Sequence, residues 1–374
     1  MSMTITEVLV QPQAIAWLQW AAQYFFYIGS AYAAAILFVI ALVFKDETSH
    51  RLRAALVLTL AIGAIVGPLA LTADLHQPGR AWHFYPHLTP WSWMSMGAIF
   101  LPVFSMLATV TAWLYLRADL QQLVKRDSKI FQLVSKLSLG DWETPAKGML
   151  GVAFLTALSG LSIALYTGAE IAIVESRPLW HQPASPLLWF VTAFLGAVGF
   201  TTVLWLLFPH HRDNPLVSGD IYLLKRTVFL ASVLALILIP IWASNHTDYS
   251  LFENTVWVKH LSTLTLLLLG CLVLAFAALR DNAARPLLRI RLGLGLVALT
   301  TLAATWCIRW VTLMEVQTIA KYDVGPYPYS LPAGSNGWLG IVGMLGLWLA
   351  LALLTSELIG PSRRTRTFSP TATH

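Results

Sequence analysis

Only two of the 374 residues are cysteine, Cys271 and Cys307, and each falls in the middle of a long apolar run. An iron–sulfur cluster takes four ligands, so this chain has no cluster set of its own. Two isolated thiols also build no disulfide framework. Charge is scarce as well, at 11% of residues against roughly 25% in soluble domains. Histidine is present, but not where haem would need it. The ten histidines (50, 76, 83, 87, 181, 210, 211, 246, 260 and 374) sit in connections or at the ends of apolar runs. Haem in a membrane bundle needs axial ligands deep in facing helices. His83 and His87 are spaced i, i+4, but on a loop flanked by prolines.

What fills the sequence is apolar. Hydrophobic residues make up 57% and mean hydropathy is +0.67. They fall in blocks rather than at amphipathic spacing, and about 20 such residues are needed to cross the hydrocarbon. Nine segments qualify, at 16–44, 52–74, 93–116, 147–174, 184–208, 221–243, 255–279, 286–313 and 337–359. The expected fold class is therefore an all-α integral membrane protein with nine transmembrane helices, read as two four-helix bundles plus one extra C-terminal helix. The domain reading is an outer N-terminus (1–15), one membrane domain (16–359) and an inner tail (360–374).

A net charge of +6 invites a nucleic-acid partner, and the placement of the charge argues against one. Lys45, Arg51 and Arg53 follow the first span, and Arg117, Lys125, Arg126, Lys129, Lys136 and Lys147 lie between the third and fourth. Further basic groups follow the fifth and seventh spans and end the chain, whereas the alternate connections hold Arg80, Arg177 and Lys321. Such alternation is the positive-inside rule. It predicts an inner-membrane protein with a periplasmic N-terminus and a cytoplasmic C-terminus. The start, MSMTITEVLVQPQ, lacks a basic n-region and a small-residue cleavage site, so no cleaved signal peptide is expected.

The inner connection 117–146 spaces Leu120, Leu123, Val124, Ile130, Phe131, Val134 and Leu137 at helical intervals with lysines between. That suits a helix lying on anionic lipid, and equally a solvated connecting helix. The outer connections differ in kind. One reads ADLHQPGRAWHFYPHLTPWSWMSMG (73–97) and the other MEVQTIAKYDVGPYPYSLPAGSNGW (314–338). Ionisable residues in or bordering the spans are functional candidates by default. They are Asp74, Glu170, Lys259 and Arg309, all expected within about two turns of the outer face. One-sided polar chemistry beside aromatic loops suits a lipid-borne ligand with a polar head, such as a quinone. Competing readings remain for each feature. Trp82, Trp91 and Trp93 also suit an interfacial belt, Arg309 could snorkel, Asp74 could pair with Arg80, and Tyr166 could be a packing residue.

Three of these segments resemble the polysulfide-reductase membrane-subunit (NrfD-like) family. ADLHQPGRAWHFYP..TPWSWMSMG resembles its signature loop between the second and third helices. LYTGAEIAIVESRPLW resembles its fourth helix, with Tyr166 eleven residues before Arg177. IRWVTLMEVQ resembles its eighth, with Gln317 eight residues after Arg309. The resemblance implies a quinol-oxidising membrane anchor that binds menaquinol or ubiquinol and has no haem or iron–sulfur cluster. It also implies two periplasmic partners, an iron–sulfur electron-transfer subunit and a molybdopterin catalytic subunit that reduces a sulfur compound. Carried over residue by residue, Tyr166 hydrogen-bonds a quinone oxygen and Asp74, with His76, accepts protons. Arg80, Arg177 and Arg309 hold acids and head group in place, and Glu170 and Gln317 belong to the same site. Polysulfide-type members have Asn and His on the first helix, where this chain has Ala21, Gln23 and Tyr24; Gln23 and Tyr24 are carried over in their place. The ninth helix lies outside the family's eight-helix core. A multi-span transporter and a passive anchor without a quinone site remain as alternatives. On this reading the purified chain shows no Soret absorbance and no iron, as an absorption spectrum and metal analysis would establish; stoichiometric haem would contradict it.

Overall fold

The computed structural model describes residues 15–75, 77–208, 216–244, 250–280, 287–319 and 329–359. In chain order the helices are α1 (Gln19–Val43), α2 (His50–Asp74), α3 (Trp93–Gln122), α4 (Lys129–Ser135), α5 (Ala146–Ala172) and α6 (Ala184–Leu207). They continue with α7 (Ser218–Ala243), α8 (Thr255–Ala278), α9 (Leu287–Trp310), α10 (Val316–Thr318) and α11 (Trp338–Ser356). A 3₁₀ segment, Pro78–Phe84, caps the gap between α2 and α3, and a π-helical turn, Val311–Glu315, joins α9 to α10. Among the described residues nine helices are long and apolar enough to cross a membrane. The expected all-α integral membrane fold is the observed one. Expected and observed spans agree within a few residues, except that α3 continues to Gln122 instead of stopping at 116.

Burial divides the helices into inner and outer ones. The apolar windows of α1, α2 and α6 are 72% buried, against 28–39% in the other six. The outer helices turn Phe154, Leu266, Val273, Leu299 and Leu354 outward, each more than 60% exposed. Large apolar side chains at that density face hydrocarbon, where they cost nothing. α1 packs against α2, α5, α6 and α9, and α6 against α7 and α9, while α11 lies against α2, α1 and α6. We propose the two-bundle reading, α1–α2–α3–α5 and α6–α7–α8–α9 with α11 beside them, for these neighbour relations. The short helix α4 exposes Ile130 and Leu133 beside Lys129, in keeping with a helix against lipid.

Lipid offers no hydrophobic drive between helices, so close backbone approach must hold α1 to α2. Gly63 and Gly67 supply it. A Cβ at Gly63 would stand 2.9 Å from the Tyr27 carbonyl oxygen, and one at Gly67 3.2 Å from Cβ of Ile28. Pro68 follows at once and has no N–H, so the Ala64 carbonyl loses its helical donor. The Ser105 hydroxyl on α3 donates to that carbonyl at 2.8 Å. The residues that join α1 to α2 thus also set α3 beside them.

Gly63→Leu should therefore destabilise the detergent-solubilised protein by at least ~1–3 kcal/mol, the usual cost of overpacking. Gly151→Leu should leave thermal unfolding unchanged, because a Cβ at Gly151 meets nothing within 4 Å. Equal melting temperatures for the two variants would contradict this account of the α1–α2 seam.

Candidate functional site

A cavity of about 450 Å³ opens between α2, the Pro78–Phe84 segment and α3, at the end of the molecule that holds Asp74. Its size falls within the roughly 300–1,000 Å³ of small-molecule sites. Ile65, Leu69 and Met94 flank it and are 42–52% exposed, so it opens between two helices toward the lipid-facing side. Phe84 and Tyr85 roof it from the loop, and Pro68 and Pro102 stand in its walls. Each proline removes one helical hydrogen bond beside the cavity.

The inner wall belongs to α5, through Tyr166 and Glu170. Tyr166 is 3% exposed. Its ring lies directly against the backbone of α3, where a Cβ at Gly97 would overlap the phenol. No other residue type at position 97 leaves the ring in place. Glu170 follows one turn later, and the two polar ends interact electrostatically. The Glu170 Oε2 is buried without a hydrogen-bond partner among the described residues, and so is the hydroxyl of Tyr24 on α1. Tyr24 lies close enough to Tyr166 and Glu170 for their charges to couple. Asp74, at the last position of α2, extends the cluster: its charge reaches Glu170, and its Oδ1 accepts from the Leu18 N–H at 3.3 Å. A buried polar atom left unpaired costs about 1–3 kcal/mol. Two of them beside one apolar cavity mark a place suited to a ligand with hydroxyl or carbonyl oxygens. A quinone head group fits that donor set.

The other expected site residues lie elsewhere. Arg309 does not snorkel; it is 1% exposed. Its guanidinium donates to the Trp189 carbonyl at 2.6 Å, the Thr192 hydroxyl at 3.0 Å and the Phe25 carbonyl at 3.4 Å, and it lies 5.0 Å from the Trp189 ring centre. It ties α9 to α6 and α1. Arg177 donates to the carbonyls of Val316 and Ile319 at 3.1 and 2.7 Å, and burial lowers its pKa from the ordinary value. Gln317 both accepts from the Trp17 N–H and donates to the Trp17 carbonyl, each at 3.0 Å. Gln23 donates to Gln19 one turn earlier. None of these four lines the cavity; Arg309, Arg177 and Gln317 tie separate elements together, whereas Gln23 bonds within α1 and its Oε1 is buried without a hydrogen-bond partner among the described residues. Arg80 is exposed on the Pro78–Phe84 segment, and His76 lies outside the described residues. The structure thus gathers Asp74, Glu170, Tyr166 and Tyr24 at one place.

Sequence reading missed the cavity's other walls. Gly97 ends the WSWMSMG motif, and Pro68 and Pro102 each interrupt an apolar run, so the signal was present without a partner to interpret it. It also missed buried ionisable groups at the opposite end of the molecule, because α3 was expected to stop at 116 and the spans of α2 and α7 to begin at 52 and 221. His50 Nε2 pairs with Asp119 at 3.1 Å, Asp220 accepts from the Ser49 N–H at 2.7 Å, and Arg117 donates to the carbonyls of Ser138 and Gly140 at 2.8 and 2.9 Å. The expectation that ionisable groups gather at one face alone is therefore corrected. Among the described residues no group of three or more His, Cys, Asp and Glu could hold a metal ion.

Residues 7–321 match the family described as polysulphide reductase, NrfD. The chain is 36% identical over 373 residues to a tetrathionate reductase subunit of Salmonella typhimurium, covering 97% of this chain and 98% of that protein. It is 20% identical to a selenate reductase subunit of Mesobacillus selenatarsenatis, over 92% of this chain and 85% of that protein. Both relatives are subunits of reductases. With a match that spans most of its length, the chain belongs to the polysulphide reductase NrfD family.

Proposed function

We propose that this chain is the quinol-oxidising membrane subunit of a respiratory reductase whose terminal acceptor is tetrathionate or a related sulfur compound. One observation carries the reading: the unpaired Glu170 carboxylate oxygen at the cavity that Tyr166 lines. Quinol supplies two electrons and two protons when bound there. Tyr166 hydrogen-bonds one oxygen of the ring. Glu170 and Asp74 receive the protons, with His76 next along the chain as a further acceptor. Arg80 stands in the loop above the opening, while Arg309 ties α9 to α6 and α1 and Arg177 ties the α5–α6 connection to Val316 and Ile319. The flanking Ile65 and Leu69 leave the isoprenoid tail in lipid, for menaquinol and ubiquinol alike.

The electrons pass to an iron–sulfur partner subunit and on to a molybdopterin subunit, both docked on the aromatic loops. Trp91, 85% exposed, and Trp82, 61% exposed, offer that surface. By the charge asymmetry of the connections this end faces the periplasm and the basic end faces the cytoplasm.

Tyr166→Phe removes one hydroxyl from the cavity wall and should slow quinol-linked electron transfer in the complex by about 5- to 150-fold, equivalent to ~1–3 kcal/mol. Reduced methyl viologen feeds the partner subunits directly, so viologen-linked activity should survive. Unchanged quinol oxidation in the variant would return Tyr166 to a packing role.

Proton release should occur on the cavity's own side. Between Asp119 at one end and Glu170 at the other, the membrane stretches of α1, α2, α3 and α5 hold no carboxylate or imidazole. If the partner consumes protons on the same side, no charge crosses the low-dielectric core. Reconstituted complex in quinol-loaded vesicles should then turn over with little or no membrane potential, as a potential-sensitive dye reports. A robust potential would reveal a charge path across the helices.

A further inference from the structure

A second cavity, of about 370 Å³, lies between α8, α9 and α11 and shares no lining residue with the first. Its walls are apolar and aromatic, with Trp306, Trp338 and Ile341 among them. One end is polar. His260 Nε2 stands 3.8 Å from Glu315 Oε2, and the Trp310 indole N–H donates to Glu315 Oε1 at 3.0 Å. Tyr329 lines the same end, where burial, and after it the Glu315 charge, hold its phenol above the ordinary pKa as a neutral hydroxyl.

The backbone there is unusual too. Glu315 closes the π-helical turn Val311–Glu315, a geometry that is rare and concentrates at functional sites. Within that turn Leu313 and Met314 are fully buried, whereas the Glu315 side chain keeps 20% of its surface exposed. The turn therefore separates packing residues from an acid that faces the cavity. The His260 ring is steadied by Trp257, edge to face at 5.8 Å between centroids.

The chemistry of this end selects its ligand. A lipid phosphate would meet the Glu315 carboxylate, and among the described residues of the lining His260 is the one basic group. An acyl chain would leave imidazole, carboxylate and phenol unused. A flat aromatic ring bearing hydroxyls satisfies both ends: the hydroxyls meet the His260–Glu315 pair, and the tryptophans cover the ring faces. We propose that the α8–α9–α11 cavity is a second binding site for a quinone or hydroquinone head group, separate from the cavity at Tyr166. It adds a place where the ring is held, with no electron transfer assigned to it, and it stands or falls independently of quinol oxidation at Tyr166.

The test is photolabelling of the intact complex with a short-chain azidoquinone, followed by peptide mapping. Label is expected on peptides spanning 255–264 and 304–319, and an unlabelled short-chain quinol of the same ring should compete it away. Thr263 lines the cavity and faces outward, so Thr263→Trp should fill it without disturbing the interior. That variant should lose label on α8 and α9 by about tenfold, while label on peptides carrying Tyr166 persists. His260→Gln should weaken labelling on α8 and α9 selectively. Absence of label on these peptides at saturating probe would overturn the proposal, as would label that added phospholipid displaces and quinol does not.

Discussion

Inside a bilayer every polar group must find its partner within the protein, because hydrocarbon supplies none. The arrangement of this molecule follows from that rule. Backbone groups are met within the helices, and where Pro68 breaks the pattern, Ser105 restores it from the neighbouring helix. Two buried cations follow the same rule closely. Arg309 reaches three oxygens on α1 and α6, and Arg117 is met by the carbonyls of Ser138 and Gly140 with the Trp142 ring 3.3 Å from its guanidinium carbon. Against that background, polar atoms left unmet stand out. Gln23 Oε1, the Ser232 hydroxyl and the Trp205 and Trp348 indole nitrogens are such atoms, and so are Glu170 Oε2 and the Tyr24 hydroxyl, which belong together to the cluster around Tyr166.

Packing converts those side chains into a site. Gly63 and Gly67 let α1 touch α2, which brings Tyr24 toward α5. Gly97 lets the Tyr166 ring lie on the backbone of α3. Prolines in α2 and α3 stand where those helices part to form the cavity. Small residues draw the helices together at the floor and prolines loosen them at the wall. A cavity between helices, rather than a channel along them, suits a ligand that arrives from lipid.

Much of this is readable in the amino-acid string because lipid imposes so few options. Apolar block length sets the spans, and Asp74 and Glu170 are conspicuous as acids beside runs of leucine and alanine. The end of α3 was less visible, since Arg117 and Asp119 look like a loop until Ser138, Gly140 and the His50 ring supply partners. Arg177 and Gln317 show the same limit. Their side chains bond backbone groups from Trp17 to Ile319, contacts more than a hundred residues apart that no local pattern announces. The role of Gly97 and the π-helical turn at Glu315 exceed local pattern for a like reason: each makes sense only through a neighbour on another helix.

The central claim is that a quinol ring occupies the cavity between α2 and α3, in contact with Tyr166 and Glu170. The most direct measurement is a cryo-electron microscopy map of the assembled complex saturated with a tight-binding quinol analogue. The account predicts planar density against the Tyr166 hydroxyl, within hydrogen-bonding reach of it, with the tail leaving past Ile65 and Leu69. An empty cavity at Tyr166, with the analogue bound elsewhere in the complex, would contradict it.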